Sequence, residues 1–174
     1  MHSQDARRSI HEVADHRDGS IVGRVQFQMC SRGLQVWQGR VKVRSRTARI
    51  VVHHCASPRS TTLEQITGWH KARGFETVGY HFFVDGVGVM HRGRDIHKIG
   101  AHAKGANEDS IGICLAGDNT QLEHRWTSYQ IDELRLLVAT LQDVYGPLPI
   151  YGHRDVPGGE TATTCPGLDI RTVL

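Results

Sequence analysis

Hydrophobic residues beyond position 48 follow two different spacings. Short runs rich in apolar and β-branched residues occupy positions 49–54, 80–84 and 110–116. Such runs are typical of strands that are buried on both faces of a sheet. Between positions 128 and 145 the apolar residues instead recur every three or four positions, which gives a helix one apolar stripe. The pattern therefore predicts three buried strands and one long amphipathic helix.

Polar residues in front of two segments mark helix starts. Thr61 and Glu64 have the spacing of a capping box, in which each side chain accepts a hydrogen bond from the other residue's backbone N–H. They predict a first helix over 61–73, and Thr127 with Gln130 gives the same signal for the helix over 128–145. Glycine is favoured just past a helix end, and it follows both segments, at positions 74 and 146.

Two further sequence signals predict the remaining strands of a mixed sheet. Asp85-Gly86 is a hairpin signal, so residues 87–90 are expected to return antiparallel to the strand at 80–84. Residues 148–151 predict a last short strand. Strands and helices thus alternate along the chain, and this order favours an α/β domain with a mixed central β-sheet flanked by helices.

Residues 1–47 differ from the rest in charge. They carry nine Lys and Arg against four Asp and Glu, a local charge of +5, whereas residues 48–174 carry twelve against fourteen, a local charge of −2. Alternating residues between positions 25 and 39 fit a β-hairpin with its turn near 31–33, and a weakly ordered basic leader fits them equally well. We therefore divide the chain into a basic N-terminal extension, 1–47, and a domain, 48–174.

Composition narrows the classes of function. No apolar run approaches the roughly 20 residues that a membrane helix needs, and the first thirty residues lack the apolar core of a signal peptide. The four cysteines are scattered without a Cys-x-x-Cys pair, which favours reduced thiols in a protein made in the cytosol. No recognition motif accompanies the basic residues, so no nucleic-acid partner is expected.

Side chains that bind metals well follow two of the predicted strands. His53 and His54 end the first strand, His153 follows the last, and Cys165 comes soon after it. Strand ends are natural places for a site in an α/β sheet. Two imidazoles and one thiolate suit Zn²⁺, and three protein ligands leave its fourth tetrahedral position for water, as in catalytic zinc sites. A lone histidine, or a cysteine in a turn, is also common as a packing residue.

A series of short motifs, taken in order, resembles one known family. The motifs are VVHHCAS at 51–57, GYHF at 79–82, GAH at 100–102, NEDSIGI at 107–113, GHRD at 152–155 and CPG at 165–167. Together they resemble the zinc-dependent N-acetylmuramoyl-L-alanine amidases of the type-2 class, which includes phage endolysins and peptidoglycan recognition proteins. The resemblance covers residues 48–170 and leaves residues 1–47 unmatched.

The resemblance implies a mixed sheet flanked by helices and a zinc ion held by His53, His153 and Cys165. His53 is preferred over His54 because the first histidine after the strand is the family's ligand, and because adjacent strand residues point to opposite faces. His54 is then a packing residue or a support for the ligands. Tyr80 matches the family's catalytic tyrosine, whose hydroxyl is expected to hydrogen-bond the attacking water or the developing oxyanion.

Other matches concern the surroundings of the metal. His102 matches a family histidine near the substrate, where it is expected to contact the peptide or to stabilise the intermediate. Asn107 and Ser110 are expected to fix a loop against the following strand. Thr163 stands where many phage members carry lysine, so a neutral hydroxyl replaces a cation near the oxyanion. Cys114 stands where some cytosolic relatives place a glutamate base, and it is interpreted as a core thiol.

The function implied by the resemblance is hydrolysis of the amide bond between the lactyl group of N-acetylmuramic acid and L-alanine in peptidoglycan. The expected protein is a monomeric phage or prophage endolysin, which accumulates in the host cytoplasm and reaches the wall after a holin opens the membrane. Its basic N-terminal segment would attract an anionic envelope surface.

Two other functions stay open at this stage. One is a peptidoglycan recognition module that keeps the fold without turnover. The other is a cytosolic amidase that acts on soluble muropeptides during wall recycling. Retention of the tyrosine and of all three ligand residues favours an enzyme over a pure binding module.

Overall fold

A computed structural model describes residues 42–160 and 162–174. The hairpin predicted between positions 25 and 39 lies outside these residues. Strands and helices of the described part follow the predicted α/β order. They are β1 (Arg49–His54), α1 (Leu63–Ala72), β2 (Phe82–Val84), β3 (Met90–Arg92), β4 (Ser110–Leu115), α2 (Ser128–Tyr145) and β5 (Ile150–Gly152).

The five strands form one mixed sheet in the order β3-β2-β4-β1-β5. β1 pairs in parallel with both β4 and β5, and β2 pairs in parallel with β4. Only the β2–β3 pair of this sheet is antiparallel. The predicted mixed sheet is therefore confirmed, and the two six-residue strands β1 and β4 lie next to each other at its centre.

One face of the sheet carries the main hydrophobic core. Alternate residues of β1, β4 and β2 pack there against the apolar stripe of α2. The buried members of this core include Ile50, Val52, Ile111, Ile113, Leu115, Leu134, Val138 and Leu141. We call this side the α2 face.

The opposite face carries the intervening residues of the same strands. His53 lies beside Cys114 in the β1–β4 register, and Val51 lies beside Gly112. Near β2, α1 covers part of this side by packing Ile66 against other buried apolar residues. The rest of it is covered by loops, and we call it the site face.

Four predicted element starts are wrong by one to three residues. β2 begins at Phe82 rather than at residue 80, and β5 begins at Ile150 rather than at residue 148. The capping box of α1 is formed by Thr62 and Gln65 rather than by Thr61 and Glu64. The returning strand begins at Met90 rather than at residue 87, because the Asp85 carboxylate accepts hydrogen bonds from the N–H groups of residues 87 and 89 and so lengthens the turn. The capping box and the bounds predicted for α2 are confirmed.

Packing against the domain begins before residue 48. Val43 forms an isolated bridge with Lys98, and the buried Arg44 guanidinium donates to the carbonyl oxygen of Ser110 at 3.3 Å. The division of the chain at residue 47 stays a prediction. No helix in the described part is long and apolar enough to cross a membrane.

Candidate metal centre

The topology brings three separated side chains to one place. His53 ends β1, His153 directly follows β5, and these strands are parallel neighbours, so their carboxyl ends meet at one edge of the sheet. Cys165 reaches the same edge from the final loop. The ligand atoms of the three side chains lie within 4.8 Å of one another, and His53 Nδ1 is 3.6 Å from Cys165 Sγ. The structure therefore gathers the three residues that the sequence marked as metal ligands.

The protonation states of these side chains fit a metal site. Burial, followed by the neighbouring histidines, holds the pKa of His53 well below its usual range, so its imidazole is neutral. Burial also lowers the pKa of His153, against the opposing effect of Glu160. Burial raises the pKa of the Cys165 thiol to about 12, so a cation is needed to ionise it near neutral pH.

The donor set is also chemically selective. Two imidazole nitrogens and one sulfur are typical of zinc, which binds such ligands at about 2.0–2.3 Å in a tetrahedral arrangement. No carboxylate belongs to the cluster in the described part of the chain. The residues therefore fit a divalent metal with three protein ligands and one position free for another ligand.

His54 is turned away from this cluster, as strand alternation predicts. Its Nδ1 accepts a hydrogen bond from the N–H of Asn119 at 3.3 Å and lies 3.4 Å from an Asp118 carboxylate oxygen. Its backbone carbonyl, by contrast, lies 3.8 Å from Cys165 Sγ. His54 therefore supports the loop after β4 and does not join the ligands.

Tyr80 lies beside the cluster, just before β2. Its ring centroid is 5.1 Å from that of His53 and 5.4 Å from that of His70. Burial, followed by nearby thiols, raises the pKa of its phenol well above the usual range. The hydroxyl therefore stays protonated at neutral pH and is suited to donate a hydrogen bond rather than to act as a base.

His102 directly contacts His53, one of the three candidate metal ligands. Its Nδ1 lies 3.0 Å from His53 Nε2, and the two rings meet edge to face at 83°. Its loop is held by Asn107, whose side-chain oxygen accepts hydrogen bonds from the backbone N–H groups of His102 and Ala103. Ser110 holds the other end of this loop by donating its hydroxyl to a backbone carbonyl. These contacts agree with the loop-fixing roles expected for Asn107 and Ser110.

Thr163 and Cys114 occupy different surroundings. The Thr163 hydroxyl oxygen accepts a hydrogen bond from the N–H of Cys165 at 3.1 Å, so it braces the loop that carries a ligand. Cys114 is fully buried on the site face, and burial holds the pKa of its thiol well above the usual range. Cys114 is thus a core thiol, as interpreted from the sequence.

Sequence reasoning missed two supporting histidines. His70 Nδ1 accepts the N–H of Gly79, which fixes the backbone next to Tyr80. His81 Nδ1 accepts the N–H of Gly112, and its Nε2 lies 3.0 Å from the carbonyl oxygen of Lys98. The signal available for His81 was the GYHF motif, in which a second polar residue follows the tyrosine just before an apolar strand, whereas no motif pointed to His70.

Comparison with known proteins gives the same family as the sequence motifs. Residues 44–168 match the family described as N-acetylmuramoyl-L-alanine amidase. An endolysin of Enterobacteria phage T3 is 36% identical over 135 residues, which cover 75% of this chain and 87% of the endolysin. Peptidoglycan-recognition protein SC2 of Drosophila melanogaster is 35% identical over 133 residues, which cover 69% of this chain and 68% of that protein.

Comparison with a solved structure supports the same family. The N-acetylmuramoyl-L-alanine amidase LysC from Clostridium intestinale URNW matches with a TM-score of 0.63 and 31% identity, covering 73% of this chain and 82% of LysC. The fold and the family that the motifs resembled are thereby confirmed. The chain belongs to the family of N-acetylmuramoyl-L-alanine amidases and is a peptidoglycan amidase related to phage endolysins.

Proposed function

We propose that this protein is a zinc-dependent endolysin that cleaves the bond between the lactyl group of N-acetylmuramic acid and L-alanine. The observation that carries the proposal is the convergence of His53, His153 and Cys165 beside Tyr80 in a chain of the amidase family. His53, His153 and Cys165 would hold the ion. A bound zinc ion supplies a Lewis acid and lowers the pKa of a water ligand to about 7.

The protein's own side chains supply orientation and hydrogen bonds. Tyr80 keeps its proton and its ring lies against that of His53, and both observations support a role for its hydroxyl as a hydrogen-bond donor to the oxyanion that forms on the scissile carbonyl. Thr163 holds the backbone of Cys165. Its hydroxyl already accepts this hydrogen bond, and its proton remains free to donate to the same oxyanion.

The biological setting remains a prediction from the sequence and the relatives. The protein would accumulate in the host cytoplasm, pass the membrane after a holin opens it, and act on the wall as a monomer. The local charge of +5 on residues 1–47 would attract an anionic envelope surface, and this attraction would weaken as salt is raised.

The direct test is digestion of purified peptidoglycan. We expect new α-amino groups on L-alanine, detected by N-terminal labelling, without new reducing sugar ends. A chelator should abolish the release, and added zinc should restore it. Binding to peptidoglycan without any release at several pH values would contradict the enzyme and favour a recognition module.

The adjacent histidines provide a matched control. His53→Asn should lower activity by about a thousandfold, because losing a metal ligand removes several kcal/mol of transition-state stabilisation. His54→Asn removes the same side chain one residue away on the opposite face, and activity should stay within about threefold because no bond to the metal is lost. Equal losses in both variants would contradict the assigned ligand.

A further inference from the structure

We propose that His102 is a positioning residue that fixes the proton of His53 on Nε2 and so turns the free Nδ1 lone pair toward the metal. The sequence resemblance places His102 near the substrate, whereas the contacts in the structure give it a different partner. The inference rests on the proposed function only in taking a metal as the species that His53 binds.

A chain of hydrogen bonds runs from the metal ligand to a backbone carbonyl. His53 Nε2 lies 3.0 Å from His102 Nδ1. His102 Nε2 lies 3.4 Å from Ser110 Oγ, which is long for such a bond. Ser110 Oγ lies 2.5 Å from the carbonyl oxygen of Ala106. The side chains of His53, His102 and Ser110, which form this series of hydrogen bonds, are all buried.

The directions of these bonds follow from the last acceptor. A carbonyl oxygen only accepts, so the Ser110 hydroxyl donates its proton to Ala106. The Ser110 oxygen is then left to accept, which places the proton of His102 on Nε2. A neutral imidazole has one protonated nitrogen, so His102 Nδ1 accepts from His53 Nε2–H. The remaining nitrogen of His53, Nδ1, carries a lone pair, and it is the one that faces Cys165.

Glycines hold the His102 ring in this orientation. A Cβ atom added at Gly100 or at Gly112 would overlap the ring atoms of His102. Its backbone N–H is fixed by Asn107 at 2.8 Å. A ring confined on two sides and tied at its backbone has little freedom to rotate. His102 therefore presents its acceptor to His53 before any metal arrives.

The same contacts leave His102 little capacity for substrate. Both of its ring nitrogens already have partners, and only 9% of the residue's surface is exposed. Histidine ligands of metals generally donate their second ring N–H to a fixed acceptor, which sets the tautomer and orients the ring. His102 fills this place for His53, with a neutral imidazole as the acceptor.

Two substitutions of His102, which give side chains of similar size to each other, test its role in orienting His53. His102→Asn keeps an acceptor oxygen close to the position of Nδ1, whereas His102→Leu fills similar space without one. Loss of such an outer partner typically weakens metal binding by about 10- to 100-fold. We expect this loss in the leucine variant and a loss within about threefold in the asparagine variant, measured by competition between the protein and a zinc chelator.

The tautomer of His53 gives a readout that requires neither metal nor activity. In metal-free parent protein labelled with ¹⁵N, long-range proton–nitrogen spectra should show the His53 proton on Nε2. In His102→Leu the signal should shift toward a mixture of both tautomers. A side chain that only fills space would lower the free energy of unfolding in both variants without separating their zinc affinities.

Three results would overturn the proposal. One is zinc affinity in the leucine variant equal to that of the parent, another is an equal loss in both variants, and the third is a His53 proton on Nδ1 in the metal-free parent. If the parent binds no zinc, the proposed zinc function fails, while the tautomer measurement on metal-free protein still decides the role of His102.

Discussion

The two faces of the central sheet are built from the same strands but hold different chemistry. On the α2 face, β1 contributes Ile50 and Val52 to a continuous apolar core. On the site face, the same strand contributes Val51 and His53. Four further histidines line this face, each with its ring next to that of His53, Tyr80 or another of the four: His70, His81, His102 and His153. A single strand thus serves stability with one set of alternate residues and chemistry with the other.

The comparison teaches which residues are exchangeable. Apolar cores tolerate changes that preserve volume, because contact and burial are all that they require. The site face depends on particular atoms instead: His53 Nδ1 faces a sulfur while its Nε2 faces another imidazole. Volume-preserving changes on the α2 face should therefore leave the chemistry intact, whereas even a near-isosteric change at a residue of the metal centre should alter it.

The largest expected effect tests chemistry on the site face. Tyr80→Phe removes one hydroxyl and keeps the ring that packs against His53. Losing a donor to an oxyanion costs about a hundred- to a thousandfold in kcat, and we expect a loss in this range. Zinc affinity and the free energy of unfolding should stay close to those of the parent. A kcat within threefold of the parent would contradict the role of Tyr80.

The next effect tests stability on the α2 face. Leu134 is fully buried in the core under α2. Leu134→Ala should lower the free energy of unfolding by about 3 kcal/mol, because it removes buried surface and leaves a cavity. Leu136→Ala on the exposed side of the same helix is the control, with an expected change within about 0.5 kcal/mol.

Denaturant titration measures the free energy of unfolding of both α2 variants, and competition with a zinc chelator measures their zinc affinity. The comparison of the two faces requires that zinc affinity stay unchanged in the folded Leu134→Ala protein. A tenfold weaker affinity would show that the apolar core and the metal centre are energetically coupled through the sheet.

A smaller effect concerns pH. Burial lowers the pKa of His81 from 6.5 to about 4, so the folded protein excludes a proton that the unfolded chain binds below pH 6.5. Stability from this residue is therefore complete above pH 6.5 and is lost as the pH falls toward 4. Between pH 6.5 and 5 the loss should be about 2 kcal/mol.

His81→Asn isolates this contribution. Its side-chain oxygen retains an acceptor near the position that takes the Gly112 N–H, but it does not titrate. Denaturant titrations of metal-free protein at pH 7 and pH 5 should give a pH-dependent loss that is about 2 kcal/mol smaller in the variant than in the parent. The same loss in both proteins would assign the pH dependence to other histidines.

The two faces also differ in how much of their structure could be predicted from the sequence. The α2 face and its helix were predictable, because the stripe from Leu134 to Leu141 and the cap at Thr127 are local signals. The three candidate ligands were predicted through motif resemblance, since their convergence depends on strands far apart in the chain. The contact between His53 and His102 was not predictable, because it depends on a loop orientation fixed by Asn107.

The smallest expected effect separates two roles of one hydroxyl on the site face. Thr163→Val preserves shape but removes the oxygen that accepts the Cys165 N–H. A lost hydrogen bond of this kind costs about 1 kcal/mol, so zinc affinity should weaken by about fivefold, whereas Thr163→Ser should restore it. Thr140→Val on α2 removes a hydroxyl that contacts only its own helix and should change neither affinity nor kcat. Donation of the Thr163 proton to the oxyanion, the second role proposed for this hydroxyl, would in addition lower kcat in Thr163→Val when zinc is saturating, and a kcat equal to that of the parent would leave Thr163 only the role of a brace for the loop.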